Sequence, residues 1–231
     1  MIPQPLKYEK TKRKKMKGVQ KIVVLAVVGV FLMIGGCGKK EKPAVIAKNP
    51  DIVLSCIGVL PVTVKVDHTE ADQAVGNGKE LQDGVLVMDK LLQKQFMARD
   101  DVRFISPAQV NGLPKDDMED SLSTARKAAD FLSCNGILQV TLHRYRQRVG
   151  GKYTASVPAS VAFSYRLIDV NSKTVLCSGR FDETQQSVMA NLYTFNSARK
   201  RGFTWITAEE LAREGMQEKF HECPYLQQPG D

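Results

Sequence analysis

The sequence predicts an α/β (α+β) fold: a mixed five-stranded sheet in the order β-α-β-α-β-β-β-α-α, with helices packed on the sheet. Three observations carry this. "CIGVLPVTV" (56–64) is a continuous apolar, β-branched run of the kind that forms a buried strand. Two segments, 80–98 and 121–134, repeat apolar residues at helical spacing, and a strand pattern follows each. From 137 to 181 the chain alternates with period two between turn residues, which reads as an antiparallel meander. Strands alternating with helices and then running consecutively give a mixed sheet covered by helices.

In order along the chain, Pro61 has no N–H for a strand ladder, so it should mark a strand end, a bulge or an edge. "DHTEADQAVGNGKE" is a polar loop. Leu81, Val85, Met88, Leu92 and Phe96 form the stripe of the first helix, and "DDVRFISP" is a short strand. After a further polar loop, Leu122, Ala125, Ala129 and Leu132 share one face of the second helix, which Asn135 and Gly136 should stop by tolerating positive φ. In "ILQVTLHRY", Leu138, Val140 and Leu142 point inward; in "SVPASVAFSYRLIDV", Val161, Phe163, Tyr165 and Leu167 share a face. "NSK" turns the chain into "TVLCSGRF", where Cys177 lies with Val175 and Phe181 and reads as a small buried apolar residue. "TQQSVMANLYTFNSARK" reads as helical. "TAEELAREGMQEKF" opens with a capping box, Thr207 to Glu210, and is the last helix.

The N-terminus is of another kind. A basic segment, "KYEKTKRKKMKGVQK", precedes an apolar run of 15 residues, Ile22 to Gly36. That is short of the roughly 20 needed to span a bilayer and suits a secretory signal. "MIGGC" resembles the lipobox of bacterial lipoproteins. The resemblance implies diacylglycerol attachment at Cys37, cleavage before it, and a membrane contact made by acyl chains. The expected organisation is a signal peptide (1–36), a lipidated tether (37–50) and one α/β domain (51–231). Since residues 1–36 hold eight Lys or Arg and one Glu, the leader carries +7 of the net charge of +8. The rest carries 25 basic and 24 acidic side chains, against 33 and 25 for the whole chain. A nucleic-acid partner is therefore not expected. Four cysteines remain, Cys56, Cys134, Cys177 and Cys223, none in a C-x-x-C pair, and they allow three complete pairings.

"IGVLPV", "ARKAADFLSCNGILQVTL" and "FSYRLIDVNSKTVLCSGRF" resemble a recurrent bacterial envelope domain over about residues 55–184. It occurs in the curli secretion channel subunit CsgG, the penicillin-binding-protein activator LpoB and the N-terminal part of TolB. The resemblance implies the fold; the expected function is that of a periplasmic, non-enzymatic binding or assembly factor, and resemblance to the usual lipoprotein sorting rule, with Gly38 rather than aspartate after the cysteine, implies an outer-membrane anchor. It leaves open a homo-oligomer and an envelope protein partner. Two alternatives are an envelope-polymer hydrolase and a subunit of a curli-type channel. The first needs paired carboxylates or an activated nucleophile at a recognisable spacing, and neither is found. The second needs lipid-facing strands of roughly 9–11 residues, whereas "RYRQRVGGKYTAS" is charged. No catalytic, cofactor-binding or metal-ligating residue is assigned. "DDMED" (116–120) and "DHTEAD" (67–72) read as solvated loops, and Asp182 or Thr184 as caps of the following helix. The candidate working surface is the basic hairpin 143–153, with Arg144, Arg146, Arg148, Lys152 and Tyr153, or the "RKRGFTW" loop ending in Trp205.

Overall fold

A computed structural model describes residues 48–65, 78–114, 121–186, 199 and 201–227. They belong to one unit, Val45–Asp231. Its elements are β1 (Ile57–Val59), β2 (Thr63–Val64), α1 (Gly78–Phe96), β3 (Val102–Phe104), α2 (Pro107–Asn111), α3 (Ser121–Leu132), β4 (Gly136–Arg146), β5 (Val149–Gly150), β6 (Ala155–Val157), β7 (Ser160–Asp169), β8 (Thr174–Thr184) and α4 (Ala208–His221). No helix among the described residues is long and apolar enough to cross a membrane.

The main sheet has the order β3-β1-β4-β7-β8, with β2 also paired to β4. β1 runs parallel to β3 and β4, while β4, β7 and β8 form the predicted antiparallel meander. The predicted first strand is split at Pro61, which interrupts the ladder between β1 and β2. Pro158 likewise separates β6 from β7.

Helices cover one face of the sheet fully and the other in part, leaving Arg166, Ser178 and Arg180 exposed on the second. On one, Val140, Leu142, Phe163, Tyr165 and Leu167 meet Met88, Leu92 and Phe96 of α1 and Leu211, Met216 and Phe220 of α4. Phe220 bridges the layers, lying 5.6 Å from the Phe96 ring and edge-on to Tyr165 at 5.1 Å. On the other, Leu60, Ile137, Ile168 and Val170 pack under the alanine stripe Ala125, Ala128 and Ala129 of α3. Alanines there let α3 lie close to the sheet.

Four sequence expectations are corrected. Ser133, at φ 55°, takes the left-handed turn that ends α3; Gly136 instead opens β4. Leu176 is an extra residue in β8, since Leu167 pairs with Cys177 and Ile168 with Val175. This bulge turns Val175 out, 51% exposed, while Cys177 stays buried. β8 runs on to Thr184, so the expected helix cannot start there, and the rest of that segment lies almost wholly outside the described residues. The polar stretch after β3 contains α2, whose capping box, Ser106 with Gln109, was present in the sequence.

The cysteines do not act as free apolar fillers. Cys56 is paired with Cys134, tying the start of β1 to the end of α3, and Cys177 with Cys223, tying β8 to the end of α4. They close loops of 78 and 46 residues. On the chain-entropy account each link stabilises the fold by about 4 kcal/mol.

Candidate functional site

β4 leaves the sheet at Arg146 and continues into the β5–β6 hairpin. The loop 201–206 that leads into α4 comes to the same pole. One backbone and one side-chain hydrogen bond join them: Trp205 N–H donates to the Lys152 carbonyl at 2.8 Å, and Arg148 Nη1 donates to the Trp205 carbonyl at 2.7 Å. The two surfaces that the sequence offered as separate candidates are one.

Three side chains brace this pole. Gln185, 6% exposed, donates through Nε2 to the Thr204 carbonyl (2.8 Å) and accepts the Ile206 N–H through Oε1 (3.0 Å). Gln147 accepts the Ala208 N–H at 3.1 Å, engaging one of the open donors in the first turn of α4. Arg201, its side chain 8% exposed, bonds Glu183 at 2.7 Å and Glu214 at 2.9 Å, bolting the loop to β8 and α4. Burial pulls the Arg201 pKa down, but the hydrogen bonds it donates to Glu183 and Glu214 outweigh it and hold the group above its ordinary value. At Thr207 the capping box forms as expected. The backbone N–H given to Glu210 keeps that carboxyl below the usual range, with Arg213 and Arg148 adding to the effect.

Within this frame Lys152 and Tyr153 are exposed at the hairpin tip, Tyr153 at 75%. Arg146, Arg148 and Trp205 are half-buried. Arg144 departs from expectation. It lies on the sheet face rather than at the tip, its Nε donating to Ser160 at 2.6 Å and its guanidinium paired with Asp182, which also takes Arg180. Asp182 and Thr184 are strand residues, not helix caps; Thr184 shares a hydrogen bond with Ser160 at 2.6 Å.

Two features were missed from sequence. Phe203 adopts φ 57° directly after Gly202 at φ 64°, so two successive left-handed residues turn the loop and leave the Phe203 ring 55% exposed. Such a conformation costs a bulky residue on the order of 1–3 kcal/mol and persists only where the surroundings impose it. Val149, 56% exposed, adds a further apolar group. His143 is the extra residue of a bulge in β4, within 2.9 Å of Ser164 Oγ and 3.0 Å of the Lys65 carbonyl, so it is part of the sheet rather than the hairpin.

Cys37 and the acidic clusters 67–72 and 116–120 lie outside the described residues. So does Ser197-x-x-Lys200, which corrects the expectation that no nucleophile spacing occurs in the sequence: it matches a serine-nucleophile motif, without the K-T-G that accompanies it. Among the described residues no group of three His, Cys, Asp or Glu could hold a metal ion.

No family model and no curated protein matches the chain. Solved structures similar to it include the PelC dodecamer from Paraburkholderia phytofirmans, 13% identical, covering 73% of this chain and 86% of that one, with a TM-score of 0.38. The LpoB C-terminal domain from Escherichia coli is 13% identical, with coverage of 61% and 90% and a TM-score of 0.31. The lipoprotein GNA1162 from Neisseria meningitidis is 12% identical, with coverage of 64% and 96% and a TM-score of 0.30.

Proposed function

We propose that the protein is an outer-membrane-anchored lipoprotein whose folded body faces the periplasm and acts as a non-enzymatic binding or assembly factor. The observation that carries the reading is "MIGGC" at the end of a basic and then apolar leader. It places the Cys37 thiol where a diacylglycerol would be attached. Gly38 in the next position favours the outer membrane. The two disulfides fit an oxidising compartment. Binding is supported by the braced basic and aromatic pole, which holds Arg, Tyr and Trp, the types that dominate interface energetics, in a fixed arrangement. The non-enzymatic part rests on the sequence, which has neither a G-x-S-x-G elbow nor a Walker loop.

Metabolic labelling with a fatty-acid analogue tests the anchor. The wild type should take up label and be processed, and Cys37→Ala should remain unlabelled at precursor size. Label retained in the alanine variant defeats the reading, and recovery of the wild type in the inner membrane defeats its outer-membrane part. Incubation with purified peptidoglycan tests the rest: turnover that one carboxylate substitution abolishes would make the protein an enzyme.

A further inference from the structure

The chain enters the fold at one pole. Ser55 N–H donates to Asn135 Oδ1 at 2.8 Å, and Asn49 N–H donates to the Tyr225 hydroxyl at 3.1 Å, so the first described residues lie beside the start of β4. The hairpin and the 201–206 loop lie beyond its far end. β4 has 11 residues, which at about 3.3 Å each separate the two poles by more than roughly 30 Å.

This polarity decides what the basic and aromatic pole can reach. From Cys37 to Lys48 the chain spans at most about 40 Å at 3.3–3.6 Å per residue. A body standing end-on with its entry pole toward the bilayer leaves this tether slack, whereas one inverted onto the hairpin would hold Lys48 a full β4 length plus the hairpin above the membrane and draw the tether out, at a cost in chain entropy. We infer that the pole formed by Arg146, Arg148, Lys152, Tyr153, Phe203 and Trp205 docks an acidic protein face in the periplasm, turned away from the membrane that anchors the chain. The orientation rests on the lipid-anchor reading given above.

Charge and shape identify the partner. No acidic residue occurs between Asp130 and Asp169, a stretch that supplies Arg146, Arg148 and Lys152. Glu183 and Glu214 are engaged by Arg201, and Glu210 caps α4 at Thr207; exposed Glu209 is the acid left in the first turn of that helix. A negative face therefore finds complementary charge here, which speeds encounter. Tyr153, Val149 and Phe203 add exposed apolar surface between the cations, the composition of a protein interface rather than of a site for free ions. The bonds from Gln185, Gln147 and Arg148 fix the loop beforehand and lower the cost of ordering it on binding.

Trp205 is the chain's single tryptophan, so its fluorescence reports on this surface alone. The acylated mature protein is reconstituted into phosphatidylethanolamine/phosphatidylglycerol vesicles. Flotation with the vesicles checks the anchor separately; a chain that stays behind defeats the anchor reading, and with it the orientation, but leaves peptide binding to be read. Lipid carrying a headgroup-level quencher should leave Trp205 emission unchanged. A synthetic peptide of alternating Glu and Phe should shift the emission, with affinity falling roughly tenfold or more on Arg146→Glu/Arg148→Glu and also falling on Tyr153→Ala at unchanged melting temperature. If the double reversal unfolds the domain, Tyr153→Ala still decides. Quenching by the lipid overturns the orientation. Absence of peptide binding, or binding indifferent to the substitutions, overturns the docking surface.

Discussion

Asp89→Ala should destabilise the domain where Asp89→Asn does not. Pro61 breaks the first strand, and the Val62 N–H that follows, on a residue 6% exposed, is taken by Asp89 Oδ1 of α1 at 2.9 Å. Two effects oppose each other at this carboxyl. Burial penalises its charge and pushes its pKa above 3.8, while the Val62 N–H stabilises the charged form and pulls it back. Alanine relieves the first but leaves a buried donor unsatisfied, which costs about 1–3 kcal/mol. Asparagine relieves the first and keeps an oxygen acceptor. We expect a loss of about 2 kcal/mol for Asp89→Ala at pH 7 and a change within about 0.5 kcal/mol, or a gain, for Asp89→Asn. The pH dependence has a definite sign. Just above pH 3.8 the native carboxyl holds a proton that the unfolded one has lost, so its contribution to stability falls as pH rises through that window, and Asp89→Asn removes this slope. Urea unfolding followed by Trp205 fluorescence measures both. Equal losses for the two variants at pH 7 would refute the reasoning, because they would mean that the charge, not the acceptor, holds the strand break in place.

A methyl at Gly215 would stand 2.7 Å from the Phe181 ring, so Gly215→Ala sets a helix-propensity gain of about 1 kcal/mol against an overpacking cost of about 1–3. A net loss of about 1 kcal/mol by urea unfolding is expected, and a gain would show that the ring yields freely. Burial pushes Tyr145 and Tyr165 up to about 12. The native phenols therefore keep protons that unfolded ones lose from pH 10 upward, and stability should fall between pH 10 and 12; a denaturant midpoint unchanged from pH 9 to 11 would contradict this.

How much was legible in the sequence depended on range. The stripe of α1, the alternation of β4 and β7 and the Thr207 capping box are local patterns, and each appears where the spacing put it. The bulges at His143 and Leu176 are not local. They exist because one strand must gain a residue on its partner, so the faces of Val175 and Arg144 could not be read from alternation alone. The cysteine pairs span 78 and 46 residues, and only the fold decides which of three pairings has its partners adjacent.

The candidate site follows the same division. Arg146, Arg148, Lys152, Tyr153 and Trp205 were legible as residue types suited to an interface. Their union was not, because the bond from Trp205 N–H to the Lys152 carbonyl crosses two chain segments that no periodicity relates. "RKRGFTW" also overstated its charge. Arg201 is consumed by Glu183 and Glu214 and serves as a bolt, while Arg199 and the Phe203 ring are exposed among the described residues of that loop. Charge in a sequence counts cations, whereas an interface uses only those that the fold leaves at its surface. That separation of roles makes the pole testable. Replacing Arg201 should loosen the loop and lower stability together, because it orphans two partly buried carboxylates. Replacing Lys152 or Tyr153 should change binding alone.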